Sequence, residues 1–131
     1  MRARHLAALG GLLMLGCDDH LLGVPPEGAE PPAAYTCDWV GVQAFFDDYC
    51  QSCHSGANPS GGFDLVQVIE AELGGQGEPY YVVPGDPEAS RLWQALAGIG
   101  SATLMPYGYT VPLETSLTQH VECWIGEGAS L

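Results

Sequence analysis

The sequence predicts a small all-α domain of three to five short helices, and two observations carry that prediction. Apolar residues recur at intervals of three and four in four separate stretches, the pattern of helices that each bury one face. The longest connection, Gly98 to Pro112, shows neither helical nor strand periodicity, and no βαβ context is present. A chain of 131 residues holds one such domain at most.

The domain is expected over 37–131, behind two segments that do not belong to its core. Within 1–16, Arg2 and Arg4 precede an apolar run from Leu6 to Leu15 that is too short to span a bilayer, the layout of a secretory signal. The run ends at Met14-Leu15-Gly16-Cys17, which resembles the lipobox of bacterial lipoproteins. That likeness implies cleavage before Cys17 and acylation of its thiol; an ordinary signal peptide is the alternative. Residues 17–36 then form a tether, rich in proline (Pro25, Pro26, Pro31, Pro32) and without apolar periodicity. In a polyproline conformation, at about 3.1 Å per residue, it would reach roughly 60 Å.

The first helix is expected from about Asp38 to Gln51. Trp39, Val42, Phe45, Phe46 and Tyr49 make its apolar stripe, and Asp47 and Asp48 face outward. A glycine-rich loop, Ser55 to Gly62, lacks the spacing of a phosphate-binding loop and leads to a second helix over Phe63 to Leu73, stopped by Gly74-Gly75. The third helix is expected to start at Asp86-Pro87-Glu88, where Asp86 can cap, Pro87 has the φ of a first helical residue and Glu88 meets the positive end of the dipole. Leu92, Trp93 and Leu96 form its apolar side and Gly98 ends it. The last helix starts near Ser116, where Ser116 and Gln119 suit a capping box, and carries Leu117, Val121, Trp124 and Ile125 inward, with His120 as a partly exposed residue at the flank.

Chemistry concentrates in Cys50-Gln51-Ser52-Cys53-His54 at the end of the first helix. Two thiols three positions apart share one face of a helical turn and a histidine follows directly, the CxxCH spacing of c-type haem attachment. Each residue type is needed: thiols add to the haem vinyl groups as thioethers, and the imidazole of His54 supplies a ligand to iron. CxxC also occurs in redox centres, which want a βαβ setting, and in zinc sites, which want a second pair of ligands. His120 and Cys123 offer such a pair, so a zinc site of Cys50, Cys53, His120 and Cys123 is open at this point.

From Cys37 onward the chain resembles the small c-type cytochrome domains of bacterial exported proteins. The likeness rests on Cys50-x-x-Cys53-His54, on Val82-Val83-Pro84-Gly85-Asp86-Pro87 with Ser90 and Leu92, on Met105-Pro106-x-Gly108, and on Trp124-Ile125-x-x-Gly128-Ala129. It implies an all-α cytochrome c fold around one covalent haem c, with the terminal helices crossing and the haem between them. It also implies that Met105, some fifty residues after the CxxCH on a turning loop, is the sixth iron ligand opposite His54, with His120 as the weaker alternative. With Cys17 assigned to lipid and Cys50 and Cys53 to haem, Cys37 and Cys123 remain, and in an oxidising compartment that pair is expected as a disulfide. The family's packing of terminal helices would make the two neighbours.

Charge separates the function classes. All sixteen acidic residues lie after Gly16, where Arg91 is the single cation, and there is no lysine anywhere. Nothing could neutralise phosphates, which excludes nucleic acid as a partner. Many cytochromes c present lysines around the haem edge; this chain has none, so its redox partners are expected to carry basic docking patches. The leading expectation is a monohaem electron carrier, not an enzyme, lipid-anchored to a membrane on the periplasmic side of the cell envelope. Its rivals are a haem-based small-ligand sensor or peroxidase-like domain with an open distal site, and the zinc-stabilised binding module.

Overall fold

The computed structural model describes residues 30–131, so the signal, Cys17 and most of the tether lie outside the described residues. Four α-helices and one short 3-10 turn make up the fold, with no strand among the described residues: α1 Trp39–Tyr49, the 3-10 turn Ser60–Gly62, α2 Leu65–Leu73, α3 Arg91–Ala97 and α4 Thr115–Gly126. The domain is therefore all-α. None of these helices is long and apolar enough to cross a membrane.

α1 packs directly on α4. Asp38 caps α1 by accepting from the Gly41 amide at 2.8 Å, and the stripe behind it, Val42, Phe45 and Phe46, is fully buried against Val121, Trp124 and Ile125. Trp39 and Trp124 stack with ring centroids 5.2 Å apart, which adds a specific contact to the apolar burial. A Cβ on Gly41 would stand 2.3 Å from the Thr36 backbone N and O, so only glycine lets the incoming chain lie this close to the helix. That approach brings Cys37 to Cys123 on the outer flank of α4, where they form a disulfide with Cα atoms 5.6 Å apart, closing a loop with a sequence separation of 86. Direct contact of α1 and α4 leaves no room for a planar cofactor between them; the large cavity opens elsewhere.

Two helix starts differ from the sequence expectation. Asp86 does accept a backbone N–H, that of Ala89 at 3.0 Å, but it caps an isolated turn, and α3 begins only at Arg91. The first amides of α3 are satisfied from outside: Arg91 N–H donates to Tyr80 O at 3.1 Å and Leu92 N–H to Tyr81 O at 2.9 Å. Buried Ser90 ties the turn down, its hydroxyl accepting from Val83 N–H at 2.8 Å and donating to Asp86 O at 2.8 Å. At α4 no side chain caps the start, and Ser116 Oγ is buried without a hydrogen-bond partner, so the capping box does not form.

Candidate functional site

The CxxCH segment continues α1 as a hydrogen-bonded turn. Cys50 N–H donates to Phe46 O at 2.8 Å, His54 N–H to Cys50 O at 2.9 Å, and Cys53 O accepts from Ser60 N–H at 2.7 Å. His54 O in turn accepts from Leu65 N–H at 2.9 Å, which fixes the motif to the start of α2. The imidazole of His54 lies flat on Phe63, centroids 4.7 Å apart, and its Nδ1 is buried with no hydrogen-bond partner. Met105 comes from the opposite direction in sequence. Its N–H donates to Ala95 O at 2.9 Å, tying the loop of residues 98–112 to α3, and the peptide to Pro106 is cis.

These residues meet around one cavity of ≈ 1060 Å³, at the upper end of the roughly 300–1,000 Å³ usual for small-molecule and cofactor sites. Cys50, Cys53, His54 and Met105 all line it, with Leu65, Leu92 and Leu96 among its apolar walls. The cavity lies between the end of α1, the start of α2, α3 and the Met105 loop, and Leu117 is the residue that α4 contributes. The expected position between the terminal helices is thus replaced by one beside them. Burial pushes the Cys50 thiol up to about 12, so at neutral pH it is protonated. Cys53 is disulfide-bonded in this structure, and a covalent link from its sulfur to a cofactor requires that bond to be reduced first.

Six tyrosines complete the wall, and they are all the tyrosines of the chain: Tyr35, Tyr49, Tyr80, Tyr81, Tyr107 and Tyr109. Tyr35 comes from the segment assigned to the tether, yet it is packed in the domain, with its hydroxyl donating to Asp48 at 2.5 Å. Burial first, then the bond to Asp48, raise its phenol well above the ordinary range. Arg91 also lines the cavity. Tyr49 was expected in the apolar stripe of the first helix and Arg91 was noted only for its charge; the other five tyrosines were not singled out, because they lie in segments without helical periodicity. The doublet Tyr80-Tyr81 and the Tyr107-x-Tyr109 pair are the signals that local clustering offered.

His120 lies elsewhere. It is 5 % exposed, stacked on Tyr35 with centroids 5.0 Å apart and edge-on to Phe45 at 5.2 Å, and it does not line the cavity. Its expected partial exposure is corrected by Tyr35, which arrives from outside the helix and covers that flank. Burial lowers its imidazole to about 4, and neither ring nitrogen has a hydrogen-bond partner. With Cys123 in the disulfide and His120 off the cavity, the four-ligand zinc site is not assembled. The one cluster of candidate metal-ligand residues among the described residues, Cys37, Cys123 and Glu127, contains that disulfide and offers no thiolate.

The donor set suits a covalently held haem on this structure's own terms. Sulfur at Cys50 and Cys53, an imidazole whose Nδ1 is otherwise without a partner and a thioether face one cavity large enough for a cofactor. Residues 50–106 match a family model described as Planctomycete cytochrome C. No curated protein and no solved structure gives a match. The match supports a cytochrome c-type domain, and with it a haem-binding, electron-transfer role and covalent attachment of the cofactor.

Proposed function

We propose, on the premise that residues 50–106 form a cytochrome c-type domain, that this chain is a monohaem electron carrier tethered by lipid in the cell envelope. The observation that carries the reading is the convergence of Cys50, Cys53, His54 and Met105 on one cavity. Cys50 and Cys53 would hold the haem covalently, and His54 and Met105 would be the ligands to its iron. Bound there, a haem supplies a one-electron Fe(II)/Fe(III) couple.

The chain's own residues do the rest. Phe63 stacks on the His54 ring and limits its rotation, while the bond from Leu65 N–H holds the His54 backbone. Met105 is held to α3 through Ala95, and a thioether in that position raises the potential relative to a second histidine. Leu65, Leu92 and Leu96 give the cavity apolar walls against which a macrocycle would pack. With His54 and Met105 both holding the iron, the site would favour electron transfer over ligand activation. Cys17 would carry the acyl chains and residues 17–36 the reach to a membrane-bound partner.

Expression in a host that matures c-type cytochromes tests this directly. The denatured protein should keep haem-dependent peroxidase staining on a gel, and the native ferric protein should show a methionine–iron charge-transfer band. Cys50→Ala with Cys53→Ala should abolish the stain, and Met105→Ala should abolish the band with the stain retained. Unstained wild-type protein from such a host would sink the proposal.

A further inference from the structure

We propose that Arg91 is the positioning residue for the haem's carboxylate edge, binding a propionate with its guanidinium. The inference rests on the cytochrome reading above. It starts from a cost: a haem carries two propionates, and a carboxylate brought into an apolar cavity needs a cation or several hydrogen bonds to offset its lost hydration. After residue 16 this chain has one cation to offer, and it stands on the cavity wall.

The setting of Arg91 is unusual for so acidic a protein. Its guanidinium donates to Ser101 Oγ at 3.1 Å and lies 5.8 Å from the centroid of the Tyr80 ring, and both partners are neutral. No carboxylate of the described residues is paired with it, although acids outnumber it in every direction along the sequence. Its backbone is fixed as the first residue of α3 by the bond to Tyr80 O. Ser101 and Tyr80 therefore hold the planar fork at the cavity with N–H groups to spare, and a guanidinium fork matches a carboxylate in two parallel hydrogen bonds.

The remaining charged side chains on the cavity wall point the same way. They are Glu30 and Asp48, and both repel a carboxylate. Asp48 is already the acceptor for Tyr35. Around Arg91 itself the titratable groups are Tyr80 and Tyr81, with the Glu72 carboxylate behind them accepting from the Tyr81 and Val82 amides. A negatively charged edge is thus attracted to one place on the wall and repelled from another, which selects one orientation of the macrocycle in the cavity.

Two consequences can be measured. A cation near the ring disfavours the oxidised, more positive iron, so its removal should lower the reduction potential. A cation in contact with the propionate also holds that carboxyl ionised, so its removal should raise the propionate above the ordinary carboxylate range of about 4.3. The experiment compares the holoproteins of wild type, Arg91→Gln and Arg91→Lys by potentiometric titration from pH 4 to 8. Arg91→Gln should shift the potential downward and add a pH-dependent wave in the weakly acid range; Arg91→Lys should restore most of the potential and suppress the wave. A lower potential with an unchanged pH profile would mean that the charge acts at a distance, and would overturn the contact. An unchanged potential would overturn it outright.

A second measurement uses the wild-type protein alone, should Arg91→Gln not fold. Redox-induced infrared difference spectra with and without ¹⁵N-arginine should show guanidinium bands that move on labelling, since a guanidinium bonded to a propionate senses the change of charge on the iron. A spectrum insensitive to the label overturns the proposal. Absence of haem stain from the wild type would instead sink the cytochrome reading, so the two failures are distinguishable.

Discussion

His120 shows how a buried residue can make the domain sensitive to acid. Folding moves its imidazole from water to a pocket between Tyr35 and Phe45, which lowers it from an ordinary value near 6.5 to about 4. The neutral form is the one the fold accepts, so its stabilisation is complete above the unfolded value and is lost as pH falls from about 6.5 towards 4. Roughly 2–3 kcal/mol should go over that range, read as a falling thermal midpoint of the holoprotein. His120→Leu, which leaves no titrating group, should flatten the profile in that window. A wild-type midpoint constant from pH 7 to 4 would contradict the assignment. At this scale the sequence was informative where chemistry is local, as in Cys50, Cys53 and His54, whose spacing alone brings them together. It was uninformative for His120, whose surroundings depend on Tyr35, 85 positions away by the numbering of the two residues.

Among the elements, α1 and α4 were legible because each has an uninterrupted apolar stripe that ends in the core, and their mutual contact follows from both faces needing cover. The start of α3 was not. Asp86, Pro87 and Glu88 have the right chemistry for a helix start, but Ser90 folds that segment into a turn and the carbonyls of Tyr80 and Tyr81 serve the helix four residues later. Such long-range acceptors leave no trace in local sequence. The Cys37–Cys123 bond locks the approach to α1 onto α4, and its loop is long, with a separation of 86. Replacing both cysteines by alanine should therefore cost about 4 kcal/mol by loop-closure entropy. Chemical denaturation of the two holoproteins measures it, and a midpoint unchanged at equal slope would show that the haem already restrains the same ends of the chain.

At the scale of the whole molecule the dominant property is charge, −13 for the full sequence at neutral pH with histidines uncharged, and all sixteen acidic residues lie after Gly16 with Arg91 as the one cation there. The apolar residues around the cavity mouth soften that field locally: Tyr80 and Tyr107 are 53 % and 62 % exposed, and both line the cavity. A redox partner that reaches the haem edge would thus meet aromatic surface inside an acidic surround. Acidic fields steer encounter with basic proteins and repel acidic ones, and the effect decays beyond a Debye length of about 10 Å at 0.1 M salt. A lipid tether works differently, by raising the local concentration of the carrier near a membrane-bound partner, and that gain does not depend on salt. Electron transfer from the lipid-free holoprotein to basic and to acidic small cytochromes, followed by stopped flow across a salt series, separates the two. The rate to the basic acceptor should fall steeply with salt, and the rate to the acidic acceptor should be lower and rise. Equal rates with flat salt dependence would assign the sixteen acidic residues to solubility and leave productive encounter to the proposed tether.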